Sequence, residues 1–232
     1  ISAHGQALGL DSSWKLPDSD WIASKFLERG LSYRQNFLIN SHLQQAKLET
    51  RTDDEVLEYL SHAQDQDALE IERERQDSKQ LTYDDLPRLA DLILRNEKVT
   101  ALYREHFACI IIDEFQDLTL QQLSILQRIG RGRITYAGDL AQGIYGFTGA
   151  KPERVLASAR SEGIDEITFT ESHRSSPAVL ELVNSLRPCT GGVELECSSP
   201  QSWPGGGFAA HQVFESEKDE ADGIVRFASG IL

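Results

Sequence analysis

The sequence predicts an α/β chain, with a parallel sheet of short buried strands carried on helices and an all-helical segment before it. An apolar run from Phe107 to Ile112 stops abruptly at Asp113-Glu114, as a strand buried on both faces of a parallel sheet does where its carboxyl end meets solvent. An amphipathic stretch and a second short apolar segment, Ile134 to Ala137, follow, and strand, helix, strand is the basic unit of a parallel sheet. Residues 18 to 80 instead carry apolar positions at helical spacing, with capping signals in front of them.

Composition sets the outer bounds. A chain of 232 residues with 40% hydrophobic content buries a real core in one or two domains. No apolar run approaches the roughly 18 residues of a membrane span, and no basic-then-apolar leader opens the chain. The first residue is Ile and there is no Met, which reads as a piece of a longer or processed chain. Three cysteines, Cys109, Cys189 and Cys197, make an odd number, and Cys109 falls inside the apolar run. That favours a reduced, cytoplasmic protein. Cys189 and Cys197 have no Cys or His at metal-ligand spacing, so plain thiols are favoured over zinc. A formal charge of −14 argues against a general polyanion-binding surface, while leaving room for a local basic groove. Arg51 to Gln80 holds ten acids against four bases and reads as a solvated helix face.

Along the chain, residues 1 to 17 are aperiodic and read as an opening loop. Asp18-Ser19-Asp20 suits a cap for a helix with Trp21, Ile22, Phe26 and Leu27 at helical spacing, ending near Gly30. A second helix spans Ser32 to Glu49 with Phe37, Leu38 and Leu43 as its apolar positions, and Thr52-x-x-Glu55 is a capping box leading into Val56, Leu57 and Leu60. Asp84 or Asp85 caps the helix that feeds the apolar run, with Pro87 in its first turn and Leu86, Leu89, Ala90 and Ile93 facing inward. Thr119-x-x-Gln122 caps the helix between the strands, which presents Leu123, Leu126 and Ile129 and stops at Gly130. Further on come a helix over 152 to 160 and a strand over 167 to 170. Ser175 or Ser176 then caps a helix with Pro177 at its first position and a stripe of Val179, Leu180, Val183 and Leu186. A loop at 198 to 207 with three successive glycines and a strand over 208 to 214 precede a final helix from Glu217, with Ala221, Ile224, Val225 and Ala228 inward.

The chemistry concentrates between Phe107 and Ala150. Carboxylates at the carboxyl end of a parallel strand lie where ligands bind in α/β sheets. One acid there suits Mg²⁺ opposite nucleotide phosphates and its neighbour suits an attacking water, although acids in that place also serve simply as solvent-facing residues before a helix. After Gly138-Asp139, the segment containing Gln142, Tyr145, Gly146, Phe147 and Gly149 has neither helical nor strand period and does not suit a core.

D-E-F-Q-D, then G-D-x-x-Q-x-I-Y-x-F-x-G-A, then E-S-H-R-S-S-P-A-V-L-E-L-V-N-S-L resembles motifs II, III and IV of superfamily 1 DNA helicases of the UvrD/Rep/PcrA type. The resemblance implies a RecA-like sheet of the P-loop NTPase type. Residues 1 to 80 would be a helical insertion, 81 to 166 the later half of a first RecA-like domain, and 167 to 232 the start of a second. It implies ATP and Mg²⁺ as cofactors, single- and double-stranded DNA as partners, and 3′-to-5′ translocation in repair or replication. Asp113 would hold Mg²⁺, Glu114 would be the general base, Gln142 would sense the γ-phosphate and Arg174 would reach it from the second domain. Gln116 and Asp117 would brace the site and link it to motif III. Tyr145 and Phe147 would stack on DNA bases, with core packing as the other reading of Tyr145 and the preferred one for Ile144. His173 stands where the family usually has a Tyr on the adenine. Leu140, Ala141 and Gly143 replace residues that are commonly Pro, Asp or Asn, and Ser. No G-x-x-x-x-G-K-S/T pattern occurs in the 232 residues, so the chain alone is expected to hydrolyse ATP poorly or not at all. A helicase-nuclease of the AddA/RecB kind shares these motifs, and a non-catalytic nucleotide- or DNA-binding module is the rival from another class.

Overall fold

The computed structural model describes residues 3–17 and 20–231. By contact density the chain divides after Asp165 into two compact units. In the first, α1 (Trp21–Glu28), α2 (Tyr33–Leu48), α3 (Asp53–His62) and α4 (Gln66–Asp77) form a helical layer, and α5 (Asp85–Ile93) and α6 (Glu97–His106) lead into β1 (Ile110–Ile112). There follow α7 (Leu120–Gly130), β2 (Ile134–Tyr136) and α8 (Pro152–Ser161). The second unit holds β3 (Glu171–Ser172), α9 (Pro177–Ser185), α10 (Arg187–Thr190), β4 (Glu196–Cys197) and α11 (Glu217–Ile231). The architecture is therefore helical with two small parallel sheets, β1-β2 and β3-β4. No helix among the described residues is long and apolar enough to cross a membrane.

Local chemistry explains the helix starts. Asp20 accepts from Ala23 N at 3.1 Å to cap α1, while Asp18 and Ser19 lie outside the described residues. The Thr52/Glu55 and Thr119/Gln122 capping boxes both form, each satisfying two backbone donors that a helix start leaves open. Ser176 caps α9 with Pro177 at its first position. Asp85 departs from expectation. Its carboxylate turns back to Thr82, accepting from both N and Oγ1 at 2.8 Å, and the N-cap Asp84 makes no side-chain cap.

The helical layer closes on Ile39, Leu43, Ala46, Val56, Leu60, Ala68, Leu69 and Ile71, with Trp21, Ile22 and Phe26 packed against them. Phe37 and Leu38 point outward instead, because Ile39, Leu43 and Ala46 set the inner stripe of α2, and on α1 Leu27 is exposed as well. The acidic stretch is not simply a solvated face either. Lys47, Glu72, Arg75, Asp85 and Arg88 are each at most 2% exposed. Lys47 Nζ lies 3.1 Å from both Glu72 and Asp85, and Arg75 pairs with Glu72 at 2.6 Å and Asp85 at 3.4 Å. Arg88 bridges Asp85 at 2.8 Å and Asp53 at 2.6 Å. Three cations thus meet three carboxylates from four helices, and the interior stays neutral. Arg75 and Arg88 also donate to the Gln80 and Arg51 carbonyls, both at 2.7 Å.

The sequence pattern predicts a single helix before the apolar run. Two occur, broken at Leu94–Asn96, where Asn96 caps α6 by accepting from Lys98 N. The run itself forms a strand only over Ile110–Ile112, paired in register with Ile134–Tyr136. It is buried on one face rather than two. Ile112 packs with Phe115, Leu123 and Val155, while Ile111 is 74% exposed and Cys109 is exposed, since helices of this chain cover that sheet on one side. In the second unit the 167–170 strand is absent. Ile167 and Phe169 are exposed and pairing begins at Glu171, opposite the two-residue β4. Residues 208–214 form no ladder, and on α11 Ile224 and Val225 are exposed. That helix uses another face, with Phe227 stacked on Phe208 at 5.8 Å.

Burial alone would raise the Asp85 carboxyl, but Lys47, Arg75 and Arg88 hold it well below the usual carboxylate range, and Glu72 is lowered against its burial by Lys47 and Arg75. Depressed folded values stabilise the protein fully above the unfolded carboxylate range near ~4, and the contribution is lost as pH falls below it. In urea unfolding, the midpoint is therefore expected to drop as pH is lowered below about 4. Asp85→Asn should cost about 3–5 kcal/mol at pH 7, because cations remain buried without their partner, and should flatten the acid limb. An unchanged midpoint in the variant would show that the network contributes little.

Candidate functional site

The site grows from the carboxyl ends of β1 and β2. Past the strand register, Ala137 N donates to Ile112 O at 2.7 Å and Phe115 N to Ala137 O at 3.0 Å, so both chains leave the sheet locked together. Asp113 and Glu114 follow β1 and Asp139 follows β2, where α/β sheets present ligand-binding groups. Glu114 has φ +54°, a left-handed conformation that costs a non-glycine residue about 1–2 kcal/mol. It is held by the buried Phe115 behind it and by Asp117 N donating to Glu114 O at 3.0 Å. Asp113 Oδ1 in turn accepts from Glu114 N at 3.0 Å.

Behind the exposed acids, the buried Gln116 Nε2 donates to Glu114 Oε2 at 2.7 Å, and its Oε1 accepts from Asp139 N at 3.0 Å. The Asp139 carboxylate then accepts from Ala141 N at 2.9 Å and from Gln142 Nε2 at 3.0 Å. Glu114 and Gln142, both candidates from the sequence, are therefore joined through Gln116 and Asp139. Asp139 is the residue that sequence reasoning passes over, yet the Asp-x-x-Gln spacing across one short turn is its signal. Gly138 is fixed by the same closeness. A Cβ there would lie 2.3 Å from Gln116 Oε1 and 2.7 Å from Phe115 Cδ1.

Tyr145 and Phe147 sit on the loop beyond, 45% and 81% exposed, with ring centroids 5.9 Å apart. Ile144 is 72% exposed, which corrects the core reading of that residue. His173 and Arg174 are exposed in the bend between β3 and α9 of the second unit. Among the described residues, no group of three or more His, Cys, Asp or Glu side chains could enclose a metal ion. The donors at hand are the hard oxygens of Asp113 and Glu114. They fit Mg²⁺ of the kind that takes one or two carboxylates and completes its shell with phosphate and water.

A short parallel pair with acids and an amide at its carboxyl ends is the arrangement in which α/β sheets present ligand-binding groups. The family model of the UvrD/REP helicase N-terminal domain matches residues 15–162, and the chain belongs to that family. It is 34% identical over 110 residues to the ATP-dependent DNA helicase Rep of Escherichia coli, a match covering 46% of this chain and 16% of that protein. The ATP-dependent DNA helicase UvrD2 of Mycobacterium tuberculosis gives the same figures, 34% over 110 residues with 46% and 16% covered. An ATP-dependent helicase/nuclease protein of Syntrophomonas wolfei is 33% identical over 125 residues, covering 50% of this chain and 10% of that protein. The matched stretch is thus a small part of each relative.

Gly138→Ala should destabilise the protein by about 1–3 kcal/mol, since the methyl has no room against Gln116 and Phe115. Chemical unfolding of the variant checks this. A midpoint equal to that of the parent chain would mean the loop is loosely held.

Proposed function

We propose that this chain supplies the acid pair and the phosphate-responsive loop of an ATP-dependent DNA helicase. In this reading it carries motifs II, III and IV of a RecA-like motor that moves 3′ to 5′ along single-stranded DNA. Residues 1–80 are its helical insertion, 81–166 the later half of the first RecA-like domain, and 167–232 the start of the second. The observation that supports the reading most is the pairing of Asp113-Glu114 with Asp139-Gln142 at the ends of two parallel strands, tied through one buried amide.

Each side chain then has a role. Asp113 would hold Mg²⁺, whose charge neutralises the phosphates when it is bound. Glu114 has one oxygen engaged by Gln116 and the other free to accept a proton from water attacking the γ-phosphate. Gln142 donates one amide hydrogen to Asp139 and keeps a second for a phosphate oxygen. Arg174 would neutralise γ-phosphate charge from the second domain, with His173 against the adenine. Tyr145 and Phe147, already exposed, would stack on bases without reading sequence. A helicase-nuclease is the second reading, favoured by the similarity to the Syntrophomonas wolfei protein of that description.

On the longest natural chain that carries these residues, Glu114→Gln is expected to bind ATP but lose turnover by about 10²-fold or more. Tyr145→Ala and Phe147→Ala should each weaken single-stranded DNA binding by roughly 5- to 150-fold, the equivalent of about 1–3 kcal/mol. Phosphate release and fluorescence anisotropy report the two effects. Full turnover in the first variant would remove Glu114 from the chemistry, and unchanged affinity in the others would return the aromatic rings to a structural role.

A further inference from the structure

In the second unit, one stretch of chain holds the bend that carries His173 and Arg174 from both sides. The bend runs from Ser172, at the end of β3, to Ser176, the N-cap of α9. Its strand end is tied down where Glu196 N donates to Thr170 O at 2.8 Å and Ser198 N to Ser172 O at 3.0 Å. Inside the bend, Ser175 N donates to Ser172 Oγ at 3.2 Å. Helix α9 is tied to the same stretch through Asn184, whose amide accepts from Leu195 N and donates to Leu195 O, both at 2.9 Å.

The third anchor is the run of three glycines. Two single 3-10 turns, Pro200–Ser202 and Pro204–Gly206, fold the chain back. Gly207 then meets Ser176, which is 3% exposed and caps α9 by accepting from Val179 N at 3.4 Å. A Cβ on Gly207 would lie 2.4 Å from both Cβ and Oγ of Ser176. Gly207 also has φ +85° and ψ −164°, a combination essentially confined to glycine. Close approach and backbone conformation therefore both require glycine here. Gly205, at φ +63°, has nothing within 4 Å of its Cβ position.

Resting on the reading of Arg174 as the group that reaches the γ-phosphate, we propose that residues 195–207 are a brace for the bend, and that Gly207 is the positioning residue that seats it. A guanidinium neutralises developing charge only when it is held in place beforehand. Arg174 is exposed, so the backbone of the bend sets where its side chain starts. The β3-β4 pairing spans only two residues on each strand. The brace adds the anchors that this short ladder lacks, one on α9 at Asn184 and one at the N-cap between strand and helix.

The test is the rate of a single round of phosphate release by the longest natural chain that carries these residues, with single-stranded DNA present and enzyme in excess over ATP. Excess enzyme keeps a slow variant such as Arg174→Ala measurable. Gly207→Ala is expected to slow the parent by about 10- to 100-fold, while Gly205→Ala, with open space around it, stays close to the parent. Placed on Arg174→Ala, Gly207→Ala should add almost nothing, because the group it misplaces is gone. A loss of folded protein would instead cost the same factor in both backgrounds. Asn184→Ala, which unties the same stretch from α9, is expected to show the same dependence on Arg174 and carries the test if Gly207→Ala does not fold. A Gly207→Ala rate equal to the parent's, an equal loss in Gly205→Ala, or a loss in either brace variant that is the same with and without Arg174 would overturn the proposal. An Arg174→Ala protein at full speed would sink the underlying reading of Arg174, whatever the brace variants do.

Discussion

The first unit depends on a neutral knot of buried charge. Lys47 of α2, Glu72 and Arg75 of α4, Asp85 and Arg88 of α5 and Asp53 at the start of α3 satisfy one another where an apolar core would ordinarily sit. Each of these groups would be costly to bury alone, so the helices hold only in the arrangement that brings all of them together. The knot's ion pairs tie α2 to α4, α4 to α5 and α5 to α3, so each contact holds one helix against another.

From that knot the order passes to the site through a few named contacts. Gln121 of α7 donates to the Lys47 carbonyl at 2.6 Å, and Asp91 of α5 accepts from Ser124 and Arg128 of α7 at 2.7 and 3.1 Å. Helix α7 lies against the sheet through Leu123, which packs with Ile112, Phe115 and Val155. Phe115 is both the floor of that small core and the residue next to Glu114. Packing energy beneath the sheet can therefore offset the left-handed backbone of the acid above it. The loop-borne acids are anchored from behind by a core residue.

Much of this is legible in the sequence, for identifiable reasons. Capping boxes at Thr52 and Thr119 and the Ser176-Pro177 helix start are local chemistry, and they form where the pattern places them. The apolar run ending in Asp113-Glu114 locates β1 and its acids, but its burial on two faces does not follow, because covering a second face takes partners that composition does not reveal. Among the acids of α4, Glu72 reads wrongly as solvated, since a charge count carries no information on which charges meet. Glu72 and Arg75 look like any solvated i,i+3 pair until Lys47 and Asp85 arrive from other helices. Likewise, 167–170 and 208–214 have strand composition without a ladder to join. Asp139 is only half legible: the Asp-x-x-Gln spacing marks its carboxylate contact with Gln142, but its bond to Gln116 runs through its backbone N–H, which no side-chain pattern records.

In the proposed reading, the strained Glu114 and Gln142 on the neighbouring loop form one hydrogen-bonded unit that would serve ATP turnover on DNA. The most direct test is phosphate release from ATP by the longest natural chain that carries these residues, with and without single-stranded DNA. Strong stimulation by the single strand is the predicted result. Tight DNA binding with no turnover of ATP under any condition would contradict it, and would make this site a binding module rather than part of an engine.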